Sequence, residues 1–124
     1  MFQKELKLRV SDNSDARLVQ CIHINKKKHK NKKTSMGNFV KVTIKKKVSR
    51  RKTIKKRINW VFVCATRRKI QRLSGESLRF GKPKITVVDD KQKKIMGTRI
   101  KGVIPRELCA LDVADIITKA RRLI

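Results

Sequence analysis

The sequence predicts a mainly β protein: a small five-stranded OB-like barrel over about residues 1–104, followed by one or two short C-terminal helices over about 105–124. Three observations carry this expectation. Short apolar runs of β character recur at regular spacing, several with period-two alternation. No ten-residue helical pattern separates them, which argues against a doubly wound sheet. Pro105 and Asp112 then open segments suited to helix starts. At 124 residues the chain can bury one modest core, so a single domain is expected.

Each element follows from its residues. Leu6, Leu8 and Val10 alternate with Lys7 and Arg9, a half-buried strand, and "SDNSD" (11–15) supplies turn residues. "ARLVQCIHI" reads as a second strand, broken by "NKKKHKNKKTSMGN". In "FVKVTIK", Val40, Val42 and Ile44 share one face, while Lys41, Thr43 and Lys45 make the other face cationic. "WVFVCAT" (60–66) is apolar at nearly every position, the pattern of a strand buried on both faces. "RRKIQRLSGESLRF" predicts a hairpin turning at Ser74, Gly75 and Glu76, and "KITVV" (84–88) another strand. "DDKQKK" is a polar turn, and "GTRIKGVIP" a short extended piece. Pro105 fits the first turn of a short helix through Leu111. Asp112 is expected to cap a second helix, with Val113, Ile116, Ile117 and Ala120 on one face and Lys119, Arg121 and Arg122 at its C-terminal end.

Charge decides the class of partner. Thirty-six basic residues against nine acidic give a formal charge of +27 and a pI near 11.1. Residues 16–75 hold twenty-one of those bases and no acid at all. "KKKVSRRKTIKKR" (45–57) alone has nine bases among thirteen residues, and it lies between two expected strands. A free tail is excluded by that position, and a long helix by the lack of an apolar stripe, so an extended excursion on the barrel rim is expected. Such repulsion requires a dense polyanion. Aromatic residues are few and Tyr is absent, so phosphate, sugar and helix shape are the expected targets rather than stacked bases.

Other chemistry is not encoded. The five glycines form no phosphate-binding loop and no nucleophile elbow. Cys21 and His23, two apart on one strand, are expected to point the same way, yet two ligands make no zinc site. Asp89 and Asp90 belong to a turn, Asp112 and Asp115 to a helix's first turn, so neither pair reads as catalytic. No cofactor, metal or enzymatic activity is expected. Cys21, Cys64 and Cys109 have no paired spacing, which suggests a reducing compartment. No membrane span is expected; the N-terminus lacks the marks of a leader, so either nothing is cleaved or cleavage precedes this numbering, and nothing points to a homo-oligomer.

With these residues in view, the chain resembles the universal large-subunit ribosomal protein L-fourteen family, in its bacterial and organellar form, from end to end. "MFQKELKLRVSDNSDAR" is similar to the family's start, "CIHI" to its second strand and "GNFVKVTIK" to its third. "VFVCATRRKIQRLSGESLRF" resembles its central signature, and "MGTRIKGVIPREL" the loop before its C-terminal helices. Departures also occur. Asp15 replaces a glycine and could take a left-handed turn, Lys26 and Lys27 replace glycines, and Ser49, Arg51, Lys56 and Arg57 replace Pro, Gly and acidic residues.

The resemblance implies a structural rRNA-binding protein seated on the large subunit where it meets the small one, contributing to bridges with small-subunit rRNA. Neighbours of the L-three and L-nineteen kinds are implied, as is a docking surface for a ribosome-silencing factor, with Thr98 and Arg99 near that interface. Charge supplies the candidate rRNA contacts: Lys26, Lys27, Lys28, Lys30, Lys32 and Lys33; Lys45, Lys47, Arg50, Arg51, Lys52 and Lys55; and Arg67, Arg68, Lys69 and Arg72. The alternative is an OB-like nucleic-acid binder outside the ribosome, resembling an initiation factor or a nucleoid protein, which high salt would wash from ribosomes. Richness in Lys, Ile and Asn from an initial Met, with eroded glycines, suggests an A/T-rich organellar genome and thus the mitochondrial matrix, with plastid and bacterial cytoplasm as alternatives.

Overall fold

The computed structural model describes residues 2–3, 5–24, 33–47, 57–89, 94–111 and 114–124. In chain order these form β1 (Phe2–Gln3), β2 (Lys7–Arg9), β3 (Ala16–Ile24), β4 (Lys33–Thr34), β5 (Phe39–Lys47), β6 (Ile58–Ala65), β7 (Ile70–Gln71), β8 (Ser77–Leu78), β9 (Lys84–Val88) and β10 (Ile100–Ile104). A 3-10 turn (Arg106–Ala110), α1 (Ala114–Lys119) and β11 (Ala120–Leu123) follow. The expected mainly β fold is present: β2, β3, β5, β6 and β9 form an antiparallel sheet in that order, curled into a half-barrel. Val10, just past β2, bridges Ile85 in β9, and the Ser11 amide donates to the Ile85 carbonyl at 2.9 Å. The two outer strands thereby meet, which protects edges that would otherwise offer unpaired backbone groups.

β6 serves two cores because successive side chains of a strand point to opposite faces. Val61 and Val63 enter the barrel interior with Leu8, Val19, Val40, Val42, Ile85 and Val87. Phe62 and Cys64 face outward, where Ile100, Ile104, Leu108 and Ile116 cover them. Residues 61–66 are all buried, as the unbroken apolar run implied. Phe62 meets the half-buried Phe39 edge to face, with ring centres 5.1 Å apart. The hairpin also stands where its turn chemistry put it: the Arg72 amide donates to Glu76 and the Gly75 amide to Arg72, with Gly75 at a left-handed φ of 86°.

Several local expectations differ from the structure. Leu6 is exposed and lies outside the short β2, so only Leu8 of the first alternation is fully buried. Between Cys21 and His23 the pairing with β5 shifts, making Ile22 the extra residue of a bulge. Cys21 and Ile24 are buried and His23 is exposed, so Cys21 and His23 do not share a face. Asp15 is buried without adopting a left-handed φ; among the described residues Glu5 is the non-glycine that does. Pro105 precedes the 3-10 turn in an extended conformation (φ −72°, ψ 141°) rather than sitting inside its first turn.

The second helix is also shorter than expected. Ala120, Arg121 and Arg122 belong to β11, which runs parallel to β10 with Ile100 opposite Ala120 and Val103 opposite Arg122. The Ile124 amide donates to Ile104 and the Arg106 amide to Ile124, at 3.0 and 3.1 Å. A six-residue helix has little cooperative gain from another turn, whereas β10 offers a free edge for pairing. Lys119 keeps the expected C-terminal position, its ammonium 3.1 Å from the Ile95 carbonyl and 3.2 Å from Asp115. The cap expected at Asp112 lies outside the described residues.

Candidate nucleic-acid interface

The register of the sheet distributes the basic residues. β3 and β5 pair from Ile24–Val40 at one end to Ala16–Lys47 at the other, so the chain leaves for 25–32 and for 48–56 from opposite ends of that pair. Lys45 and Lys47 occupy the overhanging end of β5 and are exposed. Across from them, the Arg57 carbonyl accepts the Ile44 amide at 3.0 Å, so the cationic stretch 45–57 starts and ends on neighbouring strands. Arg50, Arg51, Lys52 and Lys55 lie outside the described residues, as do Lys26, Lys27, Lys28, Lys30 and Lys32. Lys33 pairs with Gln3 in the small β1–β4 ladder.

β6 runs antiparallel to β5, which brings its C-terminal end toward the Phe39 end of that strand. Arg67, Arg68 and Lys69 therefore leave the sheet at the end where 25–32 leaves it, and all three are exposed. The Arg67 Nε donates to the Gly81 carbonyl at 3.0 Å, fixing that side chain across the hairpin. Arg72 has a different setting. Its Nε donates to Glu107 Oε1 at 2.5 Å and its Nη2 to the Ile124 carbonyl at 2.6 Å, tying the hairpin to the 3-10 turn and to the end of β11. Glu107 is held below the usual carboxylate range by this guanidinium. Sequence reasoning gave Arg72 to a phosphate because charge patterning does not reveal a partner 35 residues away.

Thr98 and Arg99 are exposed, and the turn at 12–14 holds them in place. Asn13 Oδ1 accepts both their amides, at 2.7 and 3.1 Å, while Asn13 Nδ2 donates to Thr98 Oγ1 at 2.6 Å. Asp12 anchors this turn from below. One of its oxygens accepts from the amide and hydroxyl of Ser14, the other from the Val87 amide at 3.0 Å. Burial raises the Asp12 carboxyl above its ordinary value even though these hydrogen bonds favour its charge. The sequence marked "SDNSD" only as a turn; the side-chain bonding typical of Asp and Asn in turns was the available signal.

These surfaces display charge and hydrogen-bond donors, the equipment for holding a polyanion. Among the described residues, no group of three or more His, Cys, Asp or Glu side chains could hold a metal ion, and no helix is long and apolar enough to cross a membrane. The two segments that meet at Asn13 and Thr98 are among those that carried the sequence resemblance. A family model described as ribosomal protein L14p/L23e matches residues 1–124, the full length of the chain. The chain belongs to the L14p/L23e family of ribosomal proteins, and is a structural component of the large ribosomal subunit with a role in translation, not an enzyme.

Proposed function

We propose that this protein binds large-subunit rRNA through its basic surface and lies where the two subunits meet. The carrying observation is the formal charge of +27 on a fold whose sheet sends basic stretches out from both ends of the β3–β5 pair. Lys26–Lys33, Arg50–Arg57 and the Arg67–Lys69 stretch neutralise phosphates and release counterions. Arg72 serves instead to hold the hairpin against the 3-10 turn, through the bonds to Glu107 and Ile124.

Thr98 and Arg99, exposed on a segment fixed by Asn13, contribute to a bridge with small-subunit rRNA or to docking of a silencing factor. Neighbours of the L-three and L-nineteen kinds share the rRNA seat, and the ribosome is that of the mitochondrial matrix. Family membership supports the ribosomal part of this reading, and the charge distribution supports its RNA-binding part. The test is to purify large subunits, wash them in high salt and count this chain by mass spectrometry. One copy per particle is expected; loss in the wash would leave a transient nucleic-acid binder.

A further inference from the structure

Thr98 and Arg99 sit on a short loop that leaves Ile95 and enters β10 at Ile100. Consecutive residues of the C-terminal segment hold its two ends. The Lys119 ammonium donates to the Ile95 carbonyl at 3.1 Å, and Ala120 stands opposite Ile100 in the β10–β11 ladder. Asp115, one helical turn before Lys119, accepts the Ile95 amide at 2.8 Å and the Lys119 ammonium at 3.2 Å. On its other side Ile95 bridges Val88, where the Met96 amide donates to Val87 and the Asp89 amide to Lys94. In such a pair the amide and carbonyl of Ile95 itself point away from β9. Asp115 and Lys119 thus supply the acceptor and the donor that a further strand would have offered.

Packing alone would not give this precision. Ile95 and Ile116 are buried together in the outer core, but burial is non-directional, whereas two hydrogen bonds to one residue fix how its backbone is turned. The middle of the loop is fixed independently, by the bonds from the Thr98 and Arg99 amides to Asn13. The same arrangement accounts for the end of α1 at Lys119. Another helical turn would carry Ala120 away from Ile100 and open one end of the loop.

We infer that Asp115 and Lys119 are positioning residues for Thr98 and Arg99: the short helix α1 sets how that pair is presented at the subunit interface. The inference rests on the bridge reading above and adds to it the support on which the contact depends. The test measures, by light scattering, the affinity of purified small subunits for large subunits that carry variant chains, each confirmed at one copy per particle. T98A/R99A should weaken joining if the pair makes the bridge. D115A/K119M should weaken it about three- to tenfold, and should add less than about twofold to the T98A/R99A effect. D115A alone, a milder variant should the double one fail to assemble, removes only the acceptor for the Ile95 amide and should weaken joining in the same direction. D115N and K119R keep an acceptor and a donor, and should join within about twofold of wild type. Wild-type joining by D115A/K119M and by D115A, or losses fully additive with T98A/R99A, would overturn the positioning role while leaving the bridge intact. A D115N variant as impaired as D115A would overturn it too, since charge rather than the hydrogen bond would then matter. Unchanged joining by T98A/R99A would overturn the bridge reading itself.

Discussion

Asn13 and Thr98 stand 85 residues apart in the chain and clasp each other at the surface: Asn13 Nδ2 donates to Thr98 Oγ1 at 2.6 Å, while Asn13 Oδ1 accepts the Thr98 amide at 2.7 Å. The side chain of one turn thus completes the backbone hydrogen bonding of another. Neither segment has regular secondary structure to position it, so the proposed contact residues depend on this clasp for their geometry.

Replacing Asn13 by Ala should release that segment without unfolding the barrel. The amides of Thr98 and Arg99 both lose their shared acceptor, at a cost of about 1–2 kcal/mol. Hydrogen exchange at these two amides is expected to accelerate at least tenfold, with Val61 and Val63 unchanged. Equal acceleration throughout the sheet would mean that the clasp holds the whole fold.

Gly97 lies so close to the same turn that a side chain does not fit. A Cβ there would stand 2.8 Å from Asn13 Oδ1 and 3.0 Å from Asp12 Cβ. Gly97→Ala should therefore lower stability by about 1–3 kcal/mol, the usual range for forced overpacking. A urea midpoint matching wild type would show that the turn can move aside.

Asp12→Ala should cost about 2–4 kcal/mol, because the buried amides of Ser14 and Val87 lose their acceptors. The pH dependence has a definite sign. Burial raises the folded-state value above the ordinary 3.8, so the proton is held more tightly in the folded chain. The titration contribution of Asp12 is then greatest below 3.8 and declines as pH rises through the folded value. The stability gap between wild type and Asp12→Ala is expected to narrow from pH 3 to pH 7 in urea titrations.

Glu107 has the opposite sign. Arg72 lowers its folded-state value below 4.5, giving stability that is present at neutral pH and lost as pH falls through that lowered value. Glu107→Gln should flatten this acid limb and loosen the β7–β8 hairpin, visible as faster exchange of the Gly75 amide. An unchanged acid limb would remove the ion pair from the account.

Thiol labelling should order the cysteines by their surroundings. Burial pushes the Cys64 thiol up to about 12, leaving roughly one in ten thousand ionised at pH 8, and Cys21 is buried too. Exposed Cys109 is expected to react in the native protein, and the other two only on unfolding. Prompt labelling of Cys64 would contradict the covered outer face of β6.

Elements whose residues declare themselves locally were legible in the sequence. β6 has an apolar residue at nearly every position, β9 is rich in β-branched residues, and Gly75 marks its own turn. What failed was decided by partners distant in sequence. The bulge at Ile22 depends on register with β5, so counting by two put His23 beside Cys21. Arg121 and Arg122 read as the end of a helix because their pairing with β10 leaves no local trace. The candidate site divided in the same way: exposed cations at Lys45, Arg67 and Lys69 followed from composition, whereas the ties of Arg72 to Glu107 and Asn13 to Thr98 required the folded topology.

The double-sided burial of β6 imposes an order in time. On a chain emerging N-terminus first, all five strands of the half-barrel are available once Val88 has appeared. Phe62 and Cys64 still face water then, because Leu108 and Ile116 have yet to be made. At ~5–20 residues per second this interval lasts on the order of a few seconds. A newborn chain of high positive charge thus shows an apolar strip while it already attracts RNA, and shielding that strip during those seconds is a task for whatever meets the chain first.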